Sequence, residues 1–206
     1  MPTKVYPGDE IVVDPTVSST YSTTIRAEPS AIWPWIVQMG YHRGGWYIDA
    51  WWDRVIQQYF WPLIVPDAAR GVYQPPAEEI KPHLQNLKVD DIVPDGPPGS
   101  AFYKVVALKK CSHILLHSTT HLKYLMPRFT TGTPLDPYGE FSWALILDEM
   151  GSSVTRLTIR LRGSGGPRAI LAIVKPLVVT ADFFHVREML KGIKRRAEAG
   201  VLTIQT

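Results

Sequence analysis

His113, His117 and His121 recur at intervals of four residues, HxxxHxxxH. On a helix that spacing would stack the imidazoles along one face, as a metal site requires. The segment that carries them, SHILLHSTT, is rich in β-favouring residues and sits between other strand signals. On a strand rising ~3.3 Å per residue, neighbouring rings of the set share a face but stand ~13 Å apart. One ion cannot bridge that gap, so no metal site is expected. Two readings remain for His117 and His121: a polar contact or general base in a cavity, or an ordinary hydrogen-bonded histidine.

The acids divide similarly. Asp49 and Asp53 lie one helical turn apart if their segment is helical, with Arg54 adjacent. A carboxylate that moves protons needs burial or a close like charge to raise its pKa. One on the surface pairs instead with a neighbour such as Arg43 or Arg54. Asp182 stands about 60° from the centre of an apolar stripe at ~100° per residue, on the buried flank of the terminal helix. Met189 lies on the same side, with His185 further out. A buried acid there needs a partner, from a ligand or from a strand.

In TRLTIRLR, Leu157, Ile159 and Leu161 alternate with Arg156, Arg160 and Arg162. The plain expectation is leucines inward and arginines in solvent; the alternative has Arg160 reading an anionic group. Tyr103 and Trp143 fall on the inward parity of their strands, as cavity walls or as plain core. Six of the seven tryptophans fall between residues 33 and 61. Either they weld short helices to a sheet, or Trp46, Trp51 and Trp52 gate a planar ligand. The catalytic candidates are therefore His117, Asp182, Tyr103 and Asp53. The lining candidates are Trp46, Trp51, Trp52, Tyr103, His121, Trp143, His185 and Met189.

The elements that would position these residues follow from periodicity. VSSTYSTTIR, residues 17–26, reads as a first strand. Ser30 caps a helix whose apolar residues run from Ile32 to Met39, and Gly40 ends it. A second helix fits residues 47–60, with Ile48, Trp51, Trp52, Val55 and Tyr59 as its stripe. Residues 61–100 dissolve into proline-rich loop, with one short helical possibility at AEEIKPHLQNL. Strands return in AFYKVVALKK, SHILLHSTT, GEFSWALILDEM and SSVTRLTIRLR, with turns expected at Lys109-Lys110 and at residues 149–152. Val179, Phe183, Val186, Leu190, Ile193 and Ala197 step by four and three along a terminal helix that ends before Gly200. The cations in its last turns complement the helix dipole. An antiparallel sheet must cover its apolar face, and this helix is the obvious cover. A curved sheet that does not close on the helix leaves a gap where apolar ligands settle.

Composition narrows the field. At 206 residues with 45% hydrophobic content, the chain suits one domain with a proper core. Its single cysteine, Cys111, rules out an intramolecular disulfide and reads as cytoplasmic. A net charge of +3 is too small to argue for nucleic acid or an anionic membrane. The longest apolar run, AILAIVKPLVV, is broken by Lys175 and Pro176 and falls short of the ~20 residues that a membrane span needs. MPTKVYPGDE lacks the apolar region of a secretory signal. GxSxG, P-loop, GxGxxG, CxxC and HExxH are all absent, which argues against the common hydrolase, nucleotide and zinc classes.

Several segments resemble the START-like superfamily, also called SRPBCC or the birch-pollen-allergen fold, which includes polyketide cyclases. TTIRAEPSAIWPWIVQMG is similar to the lead into that family's first helix, and HRGGWY to the RGG-aromatic turn of a bacterial branch. LKVDDIVP, FSWALIL, TRLTIRLR and REMLKGIKRRAE resemble later strands and the terminal helix, so the likeness spans roughly residues 18 to 199. It departs at Asp49-Ala50, where the branch has Tyr-Asp, and at Asp90, where it has glycine. The resemblance implies an α+β helix-grip fold in a single domain over residues 1–206. Residues 1–17 would be an N-terminal extension, and 62–100 and 121–138 irregular insertions. It implies a monomer or homodimer that binds a small hydrophobic, aromatic or polyketide-like molecule without a cofactor. The alternative is a cyclase, aromatase or dehydratase that positions a reactive chain.

Overall fold

The computed structural model describes residues 4–55, 58–59, 73–121 and 138–204. Its strands are β1 (Val17–Ile25), β2 (Ile92–Pro94), β3 (Phe102–Lys109), β4 (His113–Ser118), β5 (Tyr138–Gly151) and β6 (Val154–Gly166). They form one antiparallel sheet in the order β1-β6-β5-β4-β3-β2. Helices α1 (Pro29–Val37) and α2 (Trp51–Val55) follow the first strand, and α3 (Arg168–Ile204) follows the last. The sheet curves under α3 in a helix-grip arrangement. Among the described residues no helix is long and apolar enough to cross a membrane.

Strand register assigns the faces. Leu116 is opposite Trp143, which is opposite Leu161 on the next strand. These residues, with Val105, Ile114, Leu145 and Ile159, join Val186, Met189, Leu190 and Ile193 of α3 in one buried cluster. The outer face is also apolar in the middle strands: Leu115, Ala144 and Ile146 form a second cluster. Tyr6 and Ile11 of the N-terminal segment pack on it as a strap.

That strap corrects the expected solvation of the β6 arginines. Asp9 accepts from Arg160 Nε at 2.9 Å and from Arg162 Nη1 at 3.3 Å. Arg162 also donates to the carbonyls of Val12 and Val13, and Arg160 lies over the Tyr6 ring. A turn-rich segment lying on the sheet leaves carbonyls that strand pairing cannot satisfy, and Arg162 satisfies two of them.

The helices differ from expectation at their ends. Ser30 lies inside α1, which starts at Pro29 after an extended Glu28 with no side-chain cap. A proline at the first helical position has no orphan N–H to satisfy, so it serves as the start. Residues 47–50 are not helical: Tyr47 takes a positive φ of 58°. α2 is therefore short, and residues 56, 57 and 60 of the expected helix lie outside the described residues. Helix α3 is longer than the stripe suggested and runs through Pro176 and Gly200. A short 3-10 turn, Pro82–Leu84, occupies part of AEEIKPHLQNL, and β2 forms within the stretch read as loop. Much of the two expected insertions, residues 61–72 and 122–137, lies outside the described residues.

Candidate functional site

The inner face of β3 and β5 carries a cluster of packed aromatic rings. Tyr103 is 2% exposed and stacks on Trp143 with centroids 5.4 Å apart. Phe141 tilts against both. Trp46, arriving from the turn after α1, stands edge-on to Tyr103 at 5.9 Å and to Trp143 at 5.6 Å. His185 reaches down from α3 to within 6.5 Å of the Trp143 ring. Nε1 of Trp46 and Nε1 of Trp143 are buried and have no hydrogen-bond partner. A buried donor left unpaired costs about 1–3 kcal/mol, which makes this ring cluster the candidate site.

Titratable groups border these rings. Burial raises the Asp182 carboxyl to about 6, although hydrogen bonds from Tyr21 and Ser19 pull the other way. Burial also pushes the Tyr103 phenol well up, reinforced by the negative charges of Asp95 and Asp182. Burial lowers His185, partly offset by Asp95. Tyr103 and His185 are thus uncharged at neutral pH, while Asp182 is mostly ionised there and reaches its midpoint at about pH 6.

His121, just past β4, lies against Tyr103 at 4.4 Å. Its Nδ1 is 2.7 Å from Ser118 Oγ and its Nε2 is 2.9 Å from Asp95 Oδ2. Against an ionised Asp95, Nε2 carries the proton and Nδ1 accepts from the Ser118 hydroxyl. Asp95 and Ser118 went unnoticed in the sequence. Neither sits in a periodic pattern that would separate it from other polar residues near strand ends.

Other candidates stand elsewhere. His117 is on the outer face, its Nε2 3.0 Å from Glu140, because it has the parity of Leu115 rather than of Leu116. It does not reach these rings. Trp51 is 78% exposed and Trp52 packs partly against the core, so neither stands among the ring contacts around Tyr103. Met189 is fully buried on α3 itself. Asp49 pairs with Arg195 and Arg196, not with Arg43 or Arg54, so these helix-end cations serve ion pairs. Among the described residues no group of three or more metal-ligating side chains could hold an ion.

Trp46 belongs to a second feature. The turn HRGG is closed by reciprocal backbone bonds between Gly40 and Gly45 at 3.2 and 3.0 Å. Gly45 takes a φ of 75°, and a side chain at Gly44 would meet Gln38 and the Tyr47 hydroxyl. Arg43 donates to the carbonyls of Val37 and Met39, which closes the end of α1. Beside this turn lies a cleft of about 70 Å³, walled by Tyr41, Trp46, Asp53, Pro75 and Pro76. Asp53 is 7% exposed there, separate from the polar groups that border Tyr103.

No protein-family model matches this chain, and none of the curated proteins does. Solved structures with a similar path include a conserved protein from Geobacillus kaustophilus, at 11% identity and TM-score 0.47, covering 88% of this chain and 95% of that one. A protein from Mesorhizobium loti shares 10% identity at TM-score 0.48 over 89% and 98% of the two chains. Norcoclaurine synthase from Thalictrum flavum, a point mutant solved with a transition-state analogue, shares 12% identity at TM-score 0.45 over 92% and 96%. The helix-grip assignment itself rests on the strand order and on the helix across the sheet.

Proposed function

We propose that this protein binds a small, mostly apolar molecule with an aromatic ring, seated against the cluster of Trp143, Tyr103 and Trp46 under helix α3. The observation that carries this reading is the pair of buried indole N–H groups without partners. A carbonyl or phenolic oxygen on the ligand would accept from them, and the surrounding rings would remove its apolar surface from water. That burial contributes ~25 cal/mol per Å², reduced by the entropy of association. Native mass spectrometry of protein purified from its host should show a copurifying molecule of a few hundred daltons. In parallel, 2-naphthol should bind, and Trp143→Phe, which keeps a ring but deletes the donor, should weaken it about fivefold, or ~1 kcal/mol. A clean apo mass together with no binding at millimolar probe would overturn the reading.

A second reading, a cyclase or dehydratase acting on a polyketide-like substrate, is favoured by Asp182. A carboxyl at about 6, whose charge acts on the neutral Tyr103 phenol, can take or give a proton near neutral pH. Positioning would supply much of the remaining rate. Turnover of a candidate substrate should then fall at least tenfold in Asp182→Asn, and an unchanged rate would reject this reading.

A further inference from the structure

The cleft beside the RGG turn has a chemistry of its own, because His42, Arg43, Gln74 and Lys81 also line it. Arg43 donates to the Met39 carbonyl through Nε at 2.9 Å and to the Val37 carbonyl through Nη2 at 2.8 Å. Lys81 Nζ donates to the Arg43 carbonyl at 2.9 Å. Neutral acceptors thus hold both cations in place, and among the described residues neither forms an ion pair. Burial lowers the Arg43 pKa, with Asp91 and Tyr47 pulling the other way. A cation taken partly out of water and met only by carbonyls keeps part of its desolvation cost until an anion joins it.

We infer that this cleft is a binding site for a small carboxylate. Charge selects the class. Arg43 and Lys81 are cationic and Asp53 anionic, so these three leave one positive charge in excess on the lining. A monoanion balances that excess, whereas a phosphate group, at roughly −1.5 to −2 near pH 7, overshoots it beside Asp53. Donors remain for the ligand: Nη1 of Arg43 and the further protons of Lys81 are not used by the carbonyls above. A planar carboxylate suits the guanidinium edge. Size agrees as well. A cavity of ~150 Å³ accommodates benzene, and this one, at about 70 Å³, suits an anion of the size of acetate. The site is distinct from the ring cluster, with Trp46 bordering both, so it stands independently of the binding reading above.

The test is an amide-shift titration of the full chain at pH 7 and constant ionic strength, with acetate, phosphate or chloride as the probe. Acetate should move the Gly45 and Trp46 amides saturably, with a Kd on the order of 1 mM, and phosphate should bind more weakly. Lys81→Met, which keeps the stem and deletes the charge, should weaken acetate by about fivefold or more. Lys81→Arg should restore it. Acetate shifts that rise linearly and match those of chloride would overturn the site, as would a smaller loss in Lys81→Met. Phosphate binding more tightly than acetate would overturn the carboxylate. The wild-type comparison of the three anions decides even if Lys81→Met does not fold. None of these measurements involves 2-naphthol, so their failure leaves the binding reading intact.

Discussion

Arg196 and Asp49 meet through two parallel hydrogen bonds, Nη2 to Oδ1 at 2.8 Å and Nη1 to Oδ2 at 3.0 Å. The guanidinium is almost fully buried, donates to the Ala77 carbonyl and to Glu78, and lies over the Tyr47 ring. One side chain thus fastens the end of α3 to the loop before α2 and to the segment after residue 73. Lysine carries the charge but not the fork, so Arg196→Lys should lower stability by about 2 kcal/mol. Asp49→Ala, which strands the buried cation beside Glu78 alone, should cost about 3 kcal/mol. Urea midpoints measured at constant m-value would check both.

Asp182 sets a pH dependence whose sign can be worked out. Its native carboxyl titrates at about 6, against roughly 3.9 in an unfolded chain. The folded state therefore holds the extra proton between those values, and stability falls as pH rises through that window. Asp182→Asn should flatten that slope and stabilise the protein at pH 8 by on the order of 2 kcal/mol. Denaturation curves at pH 5 and pH 8 would decide it; an equal effect of the substitution at both would count against the assignment.

Asp9 has the opposite sign. Burial opposes its ionisation, but the Tyr6 N–H and the arginines at 160 and 162 outweigh it and hold the carboxyl below its usual range. The stabilisation is present above about pH 4 and lost as pH falls through the lowered native value. Asp9→Asn should detach the strap in part, at roughly 1–2 kcal/mol. Limited proteolysis within residues 4–16, faster in the variant at pH 7, is the simplest measurement.

Two glycines of α3 should respond oppositely to alanine. A side chain at Gly192 would strike the carbonyl of Tyr47, whereas at Gly200 it would meet open space. Helix propensity favours alanine by about 1 kcal/mol at either place. Gly200→Ala should therefore raise the melting temperature by a few degrees. Gly192→Ala should lower stability by at least ~3 kcal/mol, because backbone cannot move aside as a flexible side chain can.

Much of the fold was legible because its periods were clean. The terminal stripe expected from Val179 to Ala197 is buried from Val186 onward, while Phe183 within it is 38% exposed. The alternation in TRLTIRLR faces the right way even though its arginines are not in open water. Alternation failed in HILLHS, where Ile114, Leu115 and Leu116 are all buried because both faces of the strand are covered. With apolar residues on both parities, nothing local told His117 from an inward-facing histidine. The ring cluster was half visible: Tyr103, Trp143 and Trp46 stood out as aromatics on inward parities or in a glycine turn. Their polar neighbours Asp95 and Ser118 come together only through strand pairing across the β2–β3–β4 edge, which no short window contains.

The two-sided packing of the middle strands has a practical corollary. Leu115 and Leu116 are adjacent in the chain, yet one rests under the amino-terminal segment and the other belongs to the same buried cluster as the indoles. Isotope-labelled methyls at those two positions would act as independent listening posts. The first would register the strap lifting away, the second a guest arriving inside. A spectrum in which only one of them shifts would separate these events without any substitution.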